Sequence, residues 1–320
     1  MGDTLLDVRN LRVSFPTLQG GRVEVVKGIS FGLGRERLGI VGESGSGKSM
    51  TGRAILRLIR PPGRVTADRM DFQGRDLRGL DEPAMRAVRG AGIAMVMQDP
   101  KYSLNPVMTV GEQIAEALET HERIGRRDVR RRVLEMLEAV RIDDPVRVAK
   151  LYPHEVSGGM GQRVMIAMML IPRPAVLIAD EPTSALDVSV QAQVLDIIDD
   201  LVRSHGMGLI FISHDLDLVA GYCDRILVMN RGEIVEECAA GRLSEARHPY
   251  TRGLLACIPI PGRTPRGSRL GAIPGVVPSL VGTLKGCAFR SRCGFARPDC
   301  EGDIPWRADA RGHGARCVLA

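Results

Sequence analysis

GESGSGKS, Gly42–Ser49, is the stretch on which the fold of this chain turns. It fits the pattern G-x-x-x-x-G-K-[ST]. There, glycines let backbone N–H groups curl around a β-phosphate, the lysine neutralises β- and γ-oxygens, and the serine hydroxyl reaches Mg²⁺. Gly42, Glu43, Ser44, Gly45, Ser46, Gly47, Lys48, Ser49 and the following Met50 are therefore the expected nucleotide contacts. The flanks suit this reading. The stretch Arg37–Val41 predicts a short buried strand before the loop. Met50, Ala54, Ile55, Leu58 and Ile59 predict an apolar helix face after it, ended by Pro61 and Pro62. Strand, glycine loop and helix in that order predict an α/β fold.

Two further segments carry chemistry that suits a phosphate. VLIADEP, Val176–Pro182, reads as an apolar strand with two acids at its end. Asp180 is suited to the Mg²⁺ shell, and Glu181 to orienting the attacking water, because phosphoryl transfer is catalysed mostly by positioning and charge stabilisation. His214 follows the apolar run 208–213 and Gln98 follows the run 93–97. Singly, a histidine or glutamine at a strand end is more often a structural group. VSGGM, Val156–Met160, completes the set.

In this order the segments resemble the nucleotide-binding subunits of ABC transporters, from Phe15 to about Glu237. The resemblance implies a P-loop NTPase fold of ABC type, with a RecA-like core, an antiparallel β part and a helical subdomain. It places Phe15 against adenine, makes Gln98 the Q-loop, Asp180 and Glu181 the Walker B pair, Ser184–Asp187 the D-loop with Asp187 as its acid, and His214 the switch histidine. Lys48, Gln98, Glu181 and His214 become the catalytic set, with Mg²⁺ held through Ser49, Gln98 and Asp180. In this family Ser157, Gly158, Gly159 and Met160 form the signature. They cap a helix whose N-terminus contacts the ATP bound to the opposite subunit, so that the chain works as half of a dimer. Met160 is similar to what peptide importers carry, whereas Gly161 lies where those subunits usually have Arg.

QDPKYSLNPVMTVGEQI (98–114), ADEPTSALDVSVQAQVLDII (179–198) and HPYTRGLLACIP (248–259) narrow the resemblance to importers of the dipeptide, oligopeptide and nickel group. The last segment lies beyond the ATPase core. It reads either as a group-specific element or as a packed helix that reports ancestry alone. The resemblance implies ATP hydrolysis coupled to uptake of di- or oligopeptides, with nickel chelates and other small solutes left open. It also implies a second ATPase subunit, two permease subunits, an extracytoplasmic solute-binding protein, and a peripheral position on the cytoplasmic face of the cell membrane. A DNA-repair ABC ATPase would need coiled-coil insertions or zinc modules, and a small-molecule P-loop kinase would have no use for VSGGM or SALD. With aromatics at 3% and no aromatic interleaving of basic residues, the sequence predicts no nucleic-acid partner.

Composition fits an enzyme that works against a membrane without entering it. No window approaches the roughly 18 apolar residues of a spanning helix. Residues 1–10 carry acids and no extended apolar core, so a signal peptide is not expected. The formal net charge is +6, and its densest part, 123–132, holds six arginines in a stretch that continues with helical apolar spacing. A solvated helix face is the favoured reading, with headgroup or partner contact as the alternative.

The expected organisation is an ABC ATPase domain over 1–258, its helical subdomain at about 99–163, and a C-terminal extension over 259–320. The Pro/Gly-rich stretch 259–278 marks the boundary. Of seven cysteines, Cys287, Cys293, Cys300 and Cys317 fall in this extension, while Cys223, Cys238 and Cys257 read as ordinary buried thiols. Five residues separate the first pair and six the next, which is not the C-x-x-C of a zinc ribbon. GCAFRSRCGFARPDC (286–300) resembles the C-terminal motif of peptide-importer ATPases, some of which hold a [4Fe–4S] cluster on four such thiolates. A cluster, zinc and metal-free thiols all remain open at this level, in a structural or regulatory role.

Overall fold

The computed structural model describes residues 4–18, 20–97, 103–184, 186–258, 271–276 and 285–320. The chain forms two compact units, Met1–Arg78 with Phe211–Ala320, and Gly79–Ile210.

The first unit opens with two long antiparallel strands, β1 (Leu6–Thr17) and β2 (Gly21–Leu33), followed by the loop-bearing segment β3 (Arg37–Val41) and α1 (Lys48–Ile55). Three short strands, β4 (Arg64–Thr66), β5 (Arg69–Phe72) and β6 (Arg75–Asp76), then complete an antiparallel sheet in the order β2-β1-β5-β6, with β4 also pairing β1. Leu6, Val8, Leu11 and Val13 of β1 are fully buried, while Arg9 and Arg12 face outward, the alternation of a sheet with one covered face.

The second unit contains α2 (Glu82–Val88), β7 (Ile93–Val96), α3 (Val110–Glu119), α4 (Arg126–Ala139), α5 (Pro145–Val148), α6 (Gly158–Leu170), β8 (Val176–Asp180) and α7 (Val188–His205). Strands β7 and β8 pair in parallel, and every residue of both is buried. This is why they read as unbroken apolar runs. On α4, Val129, Val133, Met136 and Leu137 are buried. Arg131 pairs with Asp128 and Glu135, while Arg132 pairs with Glu122 and donates to the Ile171 carbonyl at 2.9 Å. Those arginines of the basic stretch are thus engaged in local ion pairs.

The chain returns to the first unit within β9 (Gly208–Ser213), then forms α8 (Leu216–Tyr222), β10 (Arg225–Asn230), β11 (Glu233–Ala239) and α9 (Pro249–Ala256). β10 lies parallel to β3 and antiparallel to β11. The C-terminal segment adds a two-residue pair, β12 (Arg307–Ala308) and β13 (Gly314–Ala315), and β13 continues the sheet from β11. Among the described residues, no helix is long and apolar enough to cross a membrane.

The helix after the glycine loop is shorter than its apolar spacing predicts. α1 ends at Ile55 because Arg57 takes the left-handed conformation (φ 52°), with its N–H on the Ala54 carbonyl and that of Leu58 on the Arg53 carbonyl. This is a Schellman ending, and it leaves Leu58 44% exposed, outside the buried face.

Candidate functional site

In the first unit, β3 leads into the phosphate loop and α1 begins at Lys48. Two glycines are required by space and dihedral angle together. A Cβ at Gly42 (φ 154°) would meet the Met229 carbonyl oxygen at 2.1 Å, and one at Gly47 (φ 101°) the Val25 oxygen at 2.5 Å. The loop turns on itself through the Ser46 N–H, which donates to the Glu43 carbonyl at 3.2 Å. Buried Lys48 donates from Nζ to the Gly42 and Glu43 carbonyls at 2.8 and 3.1 Å. The first-turn amides of α1 lack intrahelical acceptors by geometry, and with the helix dipole they make this turn an anion site. Phe15 stands half-buried on β1, and a Cβ on Gly63 would lie 2.8 Å from its ring. His214 follows β9 on the exposed side, and Asp215 beside it caps α8 by accepting the Leu218 N–H at 3.0 Å.

In the second unit, Asp180 ends β8 at 4% exposure and Glu181 follows in the left-handed conformation, φ 48°. A glutamate pays a steric cost there, and such outliers gather where backbone placement serves function. The turn is held at three points. The Ser184 N–H and Oγ both donate to the Glu181 carbonyl, at 3.3 and 3.2 Å, and the buried Gln162 side-chain amide donates to the Pro182 carbonyl. Asp187 then caps α7, accepting the Ser189 and Val190 N–H groups at 3.1 and 3.0 Å. Ser157 caps α6, its Oγ accepting the Met160 N–H at 3.3 Å, so Ser157, Gly158, Gly159 and Met160 together form a helix N-terminus. Gly159 packs closely on α7, where a Cβ would lie 3.0 Å from Val190. Gly161 is buried and lines a pocket with Leu104, Pro106, Pro153 and His154. Gln98 lies outside the described residues, as do Ala185 of the D-loop and most of the expected boundary stretch 259–278.

The C-terminal segment brings Cys287, Cys293, Cys300 and Cys317 to the lining of one small cavity, shared with His248. None is in a disulfide. Burial pushes the Cys287 thiol up to about 11 and raises that of Cys293. Each sulfur faces a backbone donor. The Phe295, Arg297 and Leu319 N–H groups lie 3.4 Å from the sulfurs of Cys293, Cys300 and Cys317, and that of Phe289 bonds Cys287. His248 is 1% exposed. Its Nδ1 accepts the Tyr250 N–H at 3.0 Å, which puts the ring proton on Nε2, a buried donor with no partner among the described residues. Four thiols, their amide donors and an orphaned N–H fit the chemistry of an anionic thiolate cluster. Among the described residues, however, no group of three or more potential ligands is drawn together at metal-binding distances. Cys223 and Cys238 are buried thiols, each pushed up to about 12 by desolvation, whereas Cys257 is only half-buried.

Residues 26–184 match the ABC transporter family, and residues 238–300 match the oligopeptide/dipeptide transporter C-terminal region. The chain is 48% identical over 319 residues to a probable peptide ABC transporter ATP-binding protein of Sinorhizobium fredii, covering 98% of this chain and 95% of that one. The chain belongs to the ATP-binding subunits of ABC transporters. It is also 48% identical to the oligopeptide transport ATP-binding protein OppD of Bacillus subtilis, over 91% of this chain and 82% of that protein. Among solved structures, a dimeric bacterial ABC transporter cassette superposes with a TM-score of 0.65 at 26% identity, over 73% of this chain and 98% of that one. A post-hydrolysis state of the same kind of cassette, bound to ADP and Pi, gives 0.63 at 26% identity, over 73% of this chain and 98% of that one. The ABC fold is that of an ATPase working with Mg²⁺.

The sequence does not announce the individual contacts of four residues of this ABC subunit: Gln162, His248, Tyr250 and Arg292. Gln162 offers a faint signal, an amide two residues before the apolar stretch 164–171. Tyr250 accepts the Glu43 N–H of the phosphate loop at 2.9 Å across 207 residues of chain, and Arg292 pairs with the Glu43 carboxylate across 249, separations that no local pattern encodes.

Proposed function

We propose that this chain binds and hydrolyses ATP to drive uptake of di- and oligopeptides, as one of two ATPase subunits docked on two permease subunits at the cytoplasmic face of the membrane. An extracytoplasmic binding protein would deliver the cargo. The observation that carries the reading is the full-length likeness to peptide-importer subunits, continued through the 248–259 segment that hydrolysis itself does not need.

The roles follow from chemistry. Lys48 and the loop amides neutralise the β- and γ-phosphates, and Phe15 stacks on adenine. Ser49, Asp180 and Gln98 would hold Mg²⁺, which when bound would offset the negative charge that develops on the phosphate oxygens. Glu181 orients the attacking water and accepts its proton, while His214 hydrogen-bonds the γ-phosphate. The α6 N-terminus at Ser157–Gly159 serves the ATP held by the opposite subunit, with Asp187 at the subunit boundary. Neither subunit then completes a site alone. The test is the Glu181→Gln variant mixed with the partner ATPase and MgATP. An ATP-dependent dimer on size-exclusion chromatography supports the shared site, and a monomer under all conditions contradicts it.

We further propose that Cys287, Cys293, Cys300 and Cys317 hold a [4Fe–4S] cluster in a structural or regulatory role. Such a cluster supplies four thiolate crosslinks and a redox couple. The chain's own contribution is the backbone N–H donors and the His248 Nε2–H, which offset negative charge on the sulfurs. Anaerobic purification with iron and acid-labile sulfide analysis tests this. About four of each per chain, lost in Cys300→Ser, is the expected result. Zinc alone, or no metal, refutes it.

A further inference from the structure

Hydrolysis as derived above gives no task to Tyr250 or to the Cys-bearing segment, yet both reach the phosphate loop. Tyr250 is fully buried and its hydroxyl accepts the Glu43 N–H at 2.9 Å. Arg292, its side chain 5% exposed, grips both Glu43 carboxylate oxygens at 2.8 and 2.9 Å, and its Nε donates to the Pro274 carbonyl at 3.0 Å. With Lys48 and the Ser46 N–H on the Glu43 carbonyl, Glu43 is fixed at its N–H, its carboxylate and its C=O. Arg292 is itself built into the thiol module. It directly precedes Cys293, its N–H bonds the Phe289 carbonyl at 2.9 Å, and its guanidinium lies 5.8 Å from the Phe289 ring. Phe289 packs in turn on Tyr250 at 5.3 Å and on His248 at 6.2 Å between ring centroids.

A glutamate in a loop that receives a polyphosphate is electrostatically unfavourable unless its charge is cancelled. A bidentate guanidinium cancels it and also fixes its direction. We propose that Arg292 and Tyr250 are positioning residues of the phosphate loop, and that through them the four-thiol module sets the affinity of this subunit for MgATP. The inference rests on the reading of the Lys48 loop as the ATP site.

The experiment measures MgATP affinity of the full-length chain by competition with a fluorescent trinitrophenyl-ATP, with far-UV circular dichroism as a check on folding. Arg292→Ala leaves one uncompensated carboxylate beside the ligand, and about a tenfold loss of affinity is expected. Arg292→Lys, which keeps the charge, should recover part of it. Arg292→Ala with Glu43→Gln should recover most of it, because the stranded charge is gone. Tyr250→Phe removes only a hydroxyl and should weaken binding about threefold, a change that survives if Arg292→Ala does not fold. Cys293→Ser should weaken MgATP in the wild-type background and add nothing in Arg292→Ala. A purely structural module would lower the melting temperature of these variants and leave affinity unchanged, and that outcome overturns the proposal. Failure of the wild-type chain to bind MgATP would instead refute the ATP-site reading beneath it.

Discussion

Replacing Glu181 by glycine should make this protein more stable and inactive at once. The residue sits at φ 48°, where an L side chain costs about 1–2 kcal/mol relative to the right-handed region. Glycine removes that cost but enlarges the entropy of the unfolded chain by about 0.4–1 kcal/mol, leaving a net gain of up to about 1.6 kcal/mol, centred near about 0.8 kcal/mol. For a chain of this size that corresponds to a rise in melting temperature of about 1–3 °C. The bonds that hold the turn, from Ser184 to the Glu181 carbonyl and from Gln162 to the Pro182 carbonyl, use backbone acceptors and survive the change. Glu181→Gln keeps the strained backbone and should leave the melting temperature within about 1 °C of wild type. The assay is differential scanning calorimetry of the nucleotide-free chain beside steady-state ATP hydrolysis. Both variants should lose turnover, and only the glycine variant should gain stability. A glycine variant that melts more than about 2 °C below wild type would refute the assignment of backbone strain to the proposed catalytic position.

Lys48→Ala should weaken nucleotide binding itself while leaving the fold intact, measured as a loss of MgATP affinity at unchanged circular dichroism. Ser157→Arg in one subunit of a mixed dimer should suppress hydrolysis mainly in the site containing the partner's phosphate loop, and full activity in that dimer would sink the shared-site reading. Glu236 is fully buried and accepts the Arg247 and His248 N–H groups and the His313 ring. Glu236→Ala strands these donors and should cost about 3–5 kcal/mol. Urea denaturation reads it, and a loss under about 1 kcal/mol would show that the network contributes little.

The parts of this protein proposed to act on phosphate are legible because their chemistry is local. The loop at 42–49, the acids at 180–181 and the SGG segment each place their proposed function within a few residues, and β3, buried except at Arg37, and the fully buried β9 appear as runs with the bounds the structure gives them. α1 ends before the point its apolar spacing predicts because the stop is a left-handed arginine and not the prolines. No residue-type signal announces a left-handed arginine. The cysteines have no recognisable spacing because one-turn 3₁₀ segments at Arg290–Arg292 and Pro298–Glu301, together with β13 pairing on β11, bring them to one cavity. The 248–259 segment carried a clear family imprint, but its physical use lay in a tertiary contact, Tyr250 on Glu43, that sequence spacing does not reveal.

ATP hydrolysis by this subunit is proposed to drive uptake of peptide. Mg²⁺-dependent hydrolysis by vesicles reconstituted with this chain, its partner ATPase and the permease subunits, with and without peptide-loaded binding protein, tests it most directly. Stimulation by the loaded binding protein, abolished by Glu181→Gln, is the predicted result. Hydrolysis that is indifferent to loaded binding protein would contradict the coupling and turn the search for cargo to nickel chelates and other small solutes.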